Sequence, residues 1–149
     1  MKVGEACNRE VVIIDRKARI VDAARLMRTY HIGDVVVVEE RPIGKIPVGI
    51  ITDRDIIVEL IAKEVDFQSV SIEDCMTFEL LQAREDDDLR DALERMRAKG
   101  VRRIPVVSGN GVLQGILTFD DMIELIAEQV SDLVALMQTG QQHEKQTRP

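Results

Sequence analysis

The chain of 149 residues is poor in aromatic side chains and has only two cysteines and four prolines. Phe, Tyr and Trp make up 3% of it, so Val, Ile, Leu and Ala must fill the core, as suits a compact α/β fold. No apolar run approaches the roughly 20 residues that a membrane span needs, and the N-terminus lacks an apolar secretion segment. These absences predict a cytoplasmic chain without a membrane partner.

The sequence also lacks an excess of basic residues, and its formal net charge is −7 at pH 7. Nonspecific binding of DNA or RNA needs a basic footprint, so the sequence disfavours a nucleic-acid polymer as partner. A small anionic ligand is still compatible with this charge, since a few local arginines can hold one. Cys7 and Cys75 form no C-x-x-C and no Cys/His cluster, which predicts two reduced thiols and no zinc site.

Residues that could carry catalysis are scarce as well. His143 lies in the polar C-terminal segment and His31 ends a predicted helix, so a histidine-based catalytic constellation is not expected. The run Asp86-Asp87-Asp88 is interpreted as a solvated helix start, because acidic residues favour the N-terminal end of a helix dipole. With no nucleophile–base pair and no Gly-rich phosphate loop, we expect neither an enzyme nor a catalytic cofactor nor a metal.

The chain does contain an internal repeat, in which one sequence unit occurs twice. Residues 49–57 read GIITDRDII, and residues 115–123 read GILTFDDMI. Upstream matches such as Asp22-Ala23 with Asp91-Ala92 lie 69 residues apart, and from Gly49 onward the spacing is 66. A pair of related units creates a cleft between its halves, and function should be sought there.

Hydrophobic periodicity predicts the order β-α-β-β-α in each unit. For the first unit the predicted segments are Val11–Ile14, Arg19–Tyr30, Val35–Val38, Val48–Ile51 and Arg54–Ala62, with a loop at Pro42, Gly44 and Pro47. For the second they are Leu80–Ala83, Leu89–Lys99, Ile104–Val107, Val112–Leu117 and a last helix from about Asp120. Each unit has one helix too few to cover its sheet alone. The predicted fold is therefore α/β (α+β), with two tandem repeats packed sheet to sheet in pseudo-twofold symmetry.

The last helix is predicted to extend beyond the end of its repeat. Its apolar stripe consists of Ile123, Ile126, Val130, Leu133 or Val134, and Met137. Two interpretations are open: the stripe packs on its own domain, or it forms a dimer contact. The Gln-rich segment that follows is predicted to be disordered. The expected boundaries are residues 1–65 for repeat 1, residues 66–138 for repeat 2 with its extended helix, and residues 139–149 for the tail.

Order, spacing and duplication together resemble a pair of CBS domains, the cystathionine-β-synthase-type repeat or Bateman module, over about residues 3–130. The resemblance is carried by the junctions Gly49–Asp55 and Gly115–Asp121, the segment Arg102–Val107 and the tripeptide Cys75-Met76-Thr77. It implies a stand-alone bacterial or archaeal module that binds AMP, ADP or ATP, or less often S-adenosylmethionine or NAD, between its repeats. It further implies a homodimer without catalysis that acts on an unidentified protein effector.

The T-x-x-D element of each junction is the centre of the ligand site that the resemblance implies. Asp55 and Asp121 would accept hydrogen bonds from ribose hydroxyls, and Thr52 and Thr118 would reach the sugar or phosphate. The same pattern also describes a helix cap with Thr as the N-cap residue, and one side chain can serve both purposes. Two functions therefore stay open: an adenine-nucleotide-binding regulatory module acting in trans, and a ligand-independent dimeric interaction protein.

The resemblance also implies that the segment leading into one repeat closes over the junction of the other. Thr118 and Asp121 would face the segment Asn8–Ile13, and Thr52 and Asp55 would face Thr77–Gln82. The ligand-binding residues expected on this basis are Asn8, Ile13, Thr52, Arg54, Asp55, Thr77, Gln82, Arg102, Arg103, Ile116, Thr118 and Asp121.

The two clefts are not expected to be equivalent. Just before the middle strand, repeat 2 has Arg102 and Arg103 where repeat 1 has Gly33 and Asp34. Asp34 would repel a phosphate, and Arg54 is the local positive charge that would compensate. Single occupancy per chain is therefore plausible, although Arg103 could serve either cleft.

Overall fold

Each repeat folds into a three-stranded sheet with two longer helices in the computed structural model, which describes residues 1–77 and 80–148. A short helix, α1 (Val3–Ala6), precedes repeat 1. This repeat then contains β1 (Ile13–Asp15), α2 (Ile20–Tyr30), β2 (Asp34–Arg41), β3 (Gly44–Thr52) and α3 (Asp53–Asp55), which continues as a π-helical stretch (Ile56–Ile61). Repeat 2 follows with α4 (Ile72–Cys75), β4 (Ala83–Arg84), α5 (Leu89–Lys99), β5 (Arg103–Val107), β6 (Leu113–Thr118) and α6 (Phe119–Thr147).

The two sheets share one topology and face each other. In each sheet the middle strand pairs parallel with the first strand and antiparallel with the third. Side chains alternate along β2, so Val35 and Val37 pack toward the helices of repeat 1. Val36 and Val38 point the other way and pack with Ile116 in a cluster shared by both sheets. This arrangement confirms the predicted fold class.

The segments that lead into the repeats are exchanged. Val3 of α1 packs in the core of repeat 2, and its N–H donates to the carbonyl of Asp87 at 2.9 Å. Ile72 of α4 packs in the core of repeat 1, and its N–H donates to the carbonyl of Ala18 at 3.0 Å. Because each lead-in segment completes the other repeat's core, the two units depend on each other for their stability.

The hairpin between β2 and β3 is longer than predicted. Its turn is confined to Pro42 and Ile43, whereas Gly44 and Pro47, which were expected in a loop, lie within β3. Pro47 is opposite Val38, where the register shifts between Val37 and Val38. An irregularity of the ladder is where a strand tolerates a residue that has no N–H to donate. The loop prediction at Gly44 and Pro47 is therefore wrong.

Helix α6 also differs from the prediction, since it continues to Thr147 where disorder was expected from residue 139. Gln, Glu and Lys are good helix formers, and the single Gly140 costs only about 1 kcal/mol relative to alanine. The apolar stripe beyond Met122 is largely exposed; Ile126 is 53% and Leu133 66% accessible. None of the helices in residues 1–77 and 80–148 is long and apolar enough to cross a bilayer. Pro149 lies outside the described residues.

Candidate ligand-binding site: two clefts between the repeats

Both T-x-x-D junctions are helix caps in the structure. The Thr52 hydroxyl accepts a hydrogen bond from the Asp55 N–H at 3.0 Å, and the Asp55 carboxylate accepts one from the Thr52 N–H at 3.0 Å. The Thr118 hydroxyl accepts from the Asp121 N–H at 3.1 Å. Within the described ranges no hydrogen bond to the Asp121 carboxylate is present, so its oxygens are open to a ligand, whereas one oxygen of Asp55 is already used.

The larger of the two clefts, which we call the Thr52 cleft, has a volume of about 670 Å³. Repeat 1 contributes the strand end and junction, and repeat 2 contributes its lead-in segment and the residues around the start of β5. Its lining residues are Gly33, Asp34, Ile50, Thr52, Asp53, Arg54, Thr77, Leu80, Leu81, Gly100, Val101, Arg102, Arg103 and Ile104. Pockets for small ligands typically measure about 300–1,000 Å³, so this cleft is large enough for a nucleotide.

The smaller cleft, the Thr118 cleft, has a volume of about 220 Å³. It is lined by Asn8, Glu10, Val11, Val12, Ile32, Asp34, Val36, Arg103, Ile116, Thr118, Asp120 and Asp121. The Asn8 and Ile116 backbones pair across it at 2.9 and 2.8 Å, and the Asn8 amide oxygen accepts from the Glu10 N–H at 2.9 Å. The N-terminal lead-in segment therefore lies against the Thr118 junction, as expected from the resemblance.

The corresponding lead-in segment of repeat 2 lies against the first junction. The Thr77 N–H donates to the carbonyl of Ile50 at 3.0 Å, and Thr77, Leu80 and Leu81 line the Thr52 cleft. Two residues of the expected segment Thr77–Gln82, at positions 78 and 79, lie outside the described residues.

One ion pair links the two clefts. The Arg103 Nε lies 2.5 Å from the Asp34 Oδ2, and both residues line both clefts. Asp34 is buried, with 8% of its surface accessible. Burial raises the pKa of the Asp34 carboxyl, and the positive charge of Arg103 offsets part of that increase. The expectation that Asp34 acts as a free repelling charge, compensated by Arg54, is therefore corrected: its compensating partner is Arg103.

The charges that line the two clefts differ in sign. The Thr52 cleft has three arginines, Arg54, Arg102 and Arg103, and two carboxylates, Asp34 and Asp53. The Thr118 cleft has Arg103 and four carboxylates, which are Glu10, Asp34, Asp120 and Asp121. The Arg102 guanidinium also lies over the Phe119 ring, 5.2 Å from its centroid, which orients it by a cation–π contact. Positive charge is therefore concentrated in the Thr52 cleft.

Three residues of the expected set lie outside the cleft linings. Asp55 borders a neighbouring groove that contains Glu59 and Lys63. Gln82 lies in a different depression near the β5–β6 turn, where its carbonyl accepts from Arg95 at 3.2 Å. Ile13 pairs with Val36 and packs between the sheets. The other nine expected residues line one or both clefts.

The Thr52 cleft also has apolar lining residues beyond the twelve expected ligand-binding residues, and two of them lie within the segment Thr77–Gln82 that was expected to face this junction. Leu80 and Leu81 were expected in a strand, but β4 begins only at Ala83, and both side chains line the cleft with Val101. The two adjacent leucines before a short strand were the available signal. Among residues 1–77 and 80–148, no group of three or more His, Cys, Asp or Glu side chains could hold a metal ion.

Comparison with known proteins identifies the family. The family described as CBS domain matches residues 3–62 and 72–128, which together cover most of the chain. This chain belongs to the CBS-domain family. The two matches coincide with the two repeats, so the molecule is a CBS pair, as the sequence resemblance indicated. The match ends about one third of the way along α6, and the rest of that helix lies beyond the family region.

Several proteins are similar to this CBS pair. An uncharacterised protein of Methanopyrus kandleri is 34% identical over 125 residues, which are 84% of this chain and 62% of that relative's length. The inosine-5′-monophosphate dehydrogenase of Methanocaldococcus jannaschii is 32% identical over 123 residues, 83% of this chain but 23% of the enzyme. This partial match does not extend the dehydrogenase activity to this chain.

A solved structure shares the fold. It is a CBS domain pair in complex with 5′-methylthioadenosine and S-adenosyl-L-methionine. Its TM-score is 0.72 at 24% identity, and the comparison covers 87% of this chain and 98% of that one.

Proposed function

We propose that this CBS pair is a non-catalytic regulatory module that binds AMP, ADP, ATP or a related adenosyl ligand and acts on a protein partner in trans. The observation that carries the proposal is the composition of the Thr52 cleft, which is lined by three arginines together with the apolar residues Leu80, Leu81 and Val101. An adenine nucleotide has the same division into a flat apolar base and an anionic phosphate end.

The lining of the Thr52 cleft supports a specific ligand orientation. Leu80, Leu81 and Val101 offer apolar surface for the base, and Arg102 and Arg103 offer forked donors for phosphate oxygens. The Thr52 hydroxyl is within the same cleft and can hydrogen-bond to the ribose. The predicted ribose contacts of Asp55 and Asp121 stay predictions, and Asp121 would serve the Thr118 cleft.

The similar CBS pair solved with two adenosyl compounds supports the ligand class. S-adenosylmethionine and NAD are alternatives within that class, but three arginines favour a ligand that carries phosphate. The two free cysteines are compatible with the predicted cytoplasmic location.

Isothermal titration calorimetry tests the proposal directly. We expect AMP, ADP or ATP to bind the wild-type chain with a stoichiometry near one per chain, and GMP at equal concentration to bind more weakly. The variant Arg102→Gln should weaken nucleotide binding, whereas Arg90→Gln, a change on the exposed face of α5, should not. Absence of heat and of any thermal shift with all adenine ligands would contradict the proposal.

The alternative is a ligand-independent interaction protein, and the two helix caps and the exposed stripe of α6 favour it. We propose homodimerisation in either case. Ile57 and Ile61 on the last helix of repeat 1 are 55% and 54% exposed, and Ile123 at the equivalent position of α6 is 50% exposed. A second copy of the chain would cover these side chains. Adenine-nucleotide titration separates the two functions, because only the first requires binding.

A further inference from the structure

We propose that Asp34 is a specificity-determining residue, which competes with a ligand phosphate for Arg103 and thereby sets how strongly the protein prefers nucleotides over nucleosides. The inference rests on the proposed function and names the residue that limits the affinity for the ligand phosphate. It concerns two side chains from different repeats that meet between the clefts.

The positions of these residues follow from the strand register. Asp34 begins β2 and pairs with Thr52, while Arg103 begins β5 and pairs with Thr118. Each residue therefore lies beside the junction of its own repeat, and the facing sheets bring the two together. The Arg103 side chain is 35% accessible and that of Asp34 only 10%, so the carboxylate is fixed while the guanidinium reaches both clefts.

The ion pair leaves part of the guanidinium free. The closest contact to Asp34 is made by Nε. A guanidinium has five N–H donors and a bidentate carboxylate pair uses two of them, so donors on the terminal NH₂ groups of Arg103 remain. Those groups can donate to phosphate oxygens in the fork geometry that arginine provides. A phosphate that draws Arg103 toward itself must weaken the contact to Asp34 and leave a buried carboxylate without its counter-charge, which is costly. Asp34 therefore lowers phosphate affinity and has no such effect on a neutral nucleoside.

Sharing one arginine also couples the clefts. Arg103 is the one cation among the lining residues of the Thr118 cleft, where four carboxylates repel an anion. A phosphate that holds Arg103 in the Thr52 cleft leaves this second cleft uncompensated. Only one phosphate-bearing ligand per chain is then accommodated.

Titrations of AMP and adenosine at low and high salt test the inference. Asp34→Asn keeps the shape of the side chain but removes the charge that competes for Arg103, so AMP affinity should rise about tenfold while adenosine affinity stays constant. The matched control is Asp53→Asn, which removes the same charge from the same cleft. Asp53 does not pair with Arg103, so the gain in AMP affinity in Asp53→Asn should be smaller and should vanish at high salt.

A second variant allows the inference to be tested even if Asp34→Asn does not fold. In Arg103→Gln, AMP affinity should fall more than adenosine affinity, and adding Asp34→Asn to it should raise AMP affinity no more than Asp53→Asn does. Equal losses of AMP and adenosine in Arg103→Gln, or a gain in Asp34→Asn no larger than that in Asp53→Asn, would overturn the inference while nucleotide binding stands. If wild type binds neither compound, the proposed function itself fails, and this inference fails with it.

Discussion

Asp34 and Arg103 occupy the same position of the two repeats, 69 residues apart, and form an ion pair of 2.5 Å across the interface between them. Two identical charged residues at this position would repel each other where the sheets meet. Opposite charges attract each other there, and they place one positive and one negative side chain in the lining of both clefts. The inequivalence of the clefts follows from this difference between the repeats.

The ion pair predicts a pH-dependent stability. Burial raises the pKa of Asp34, and Arg103 opposes the increase, so Arg103→Gln should raise that pKa further. A carboxyl whose folded-state pKa is raised contributes stability fully below its unfolded pKa and loses it as pH rises through the folded pKa. Relative to wild type, Arg103→Gln should therefore lose stability as pH rises above about 4, the pKa of an unfolded aspartate, toward the raised folded-state pKa.

Urea unfolding at a series of pH values measures this effect. The double variant Arg103→Gln/Asp34→Asn has no titrating carboxyl at this position and is the control. Its stability relative to wild type should not show the additional decline. A parallel pH dependence of the single and double variants would show that another group is responsible.

The predicted ribose contacts can be tested by truncation. A ligand in the Thr52 cleft should lose a charged acceptor in Asp55→Ala, and a ligand in the Thr118 cleft should lose one in Asp121→Ala. Loss of such a hydrogen bond typically costs about 1.5–3 kcal/mol, or about ten- to hundredfold in affinity. Calorimetry with AMP and with adenosine measures the loss. Asp86→Ala, outside both clefts, is the control. Unchanged affinity in both truncations would exclude the ribose assignment.

Two glycines allow the lead-in segments to pass close to the sheets. A Cβ at Gly49 would lie 2.7 Å from the Thr77 carbonyl oxygen, and one at Gly115 would lie 2.7 Å from that of Asn8. Because backbone cannot move aside cheaply, Gly49→Ala and Gly115→Ala should each destabilise the fold by about 1–3 kcal/mol. Gly109→Ala has open space around its Cβ and serves as the control. Urea unfolding compares the three variants, and equal stability of all three would contradict the close approach.

The proposed dimer should depend on the exposed stripe of α6. Light scattering at tens of micromolar should give twice the chain mass for wild type. Leu133→Glu should shift it toward the monomer, because a charge in an apolar contact must be desolvated. Ser131→Glu, two residues away on an exposed part of the same helix, should leave the mass unchanged. A monomeric wild type would refute the dimer.

Much of this molecule was determined by the sequence alone, because its signals are local. Apolar runs located the second and third strands of each repeat. Helical spacing specified Leu89–Lys99 to the residue, and the T-x-x-D elements specified two helix starts capped by Thr52 and Thr118. The duplication of these signals was sufficient to identify the repeat and its family. Each of these features depends on neighbours within one or two turns of the chain.

The tertiary structure alone decided how distant groups combine. The pairing of Asp34 with Arg103, the lining of the Thr52 cleft by Leu80 and Leu81, and the exclusion of Gln82 from it all depend on how two sheets face each other. The continuation of α6 to Thr147 likewise follows from propagation of an existing helix, which a window of polar residues does not reveal. Periodicity indicates which face of an element is buried, but only packing determines which residues of the other repeat that face meets.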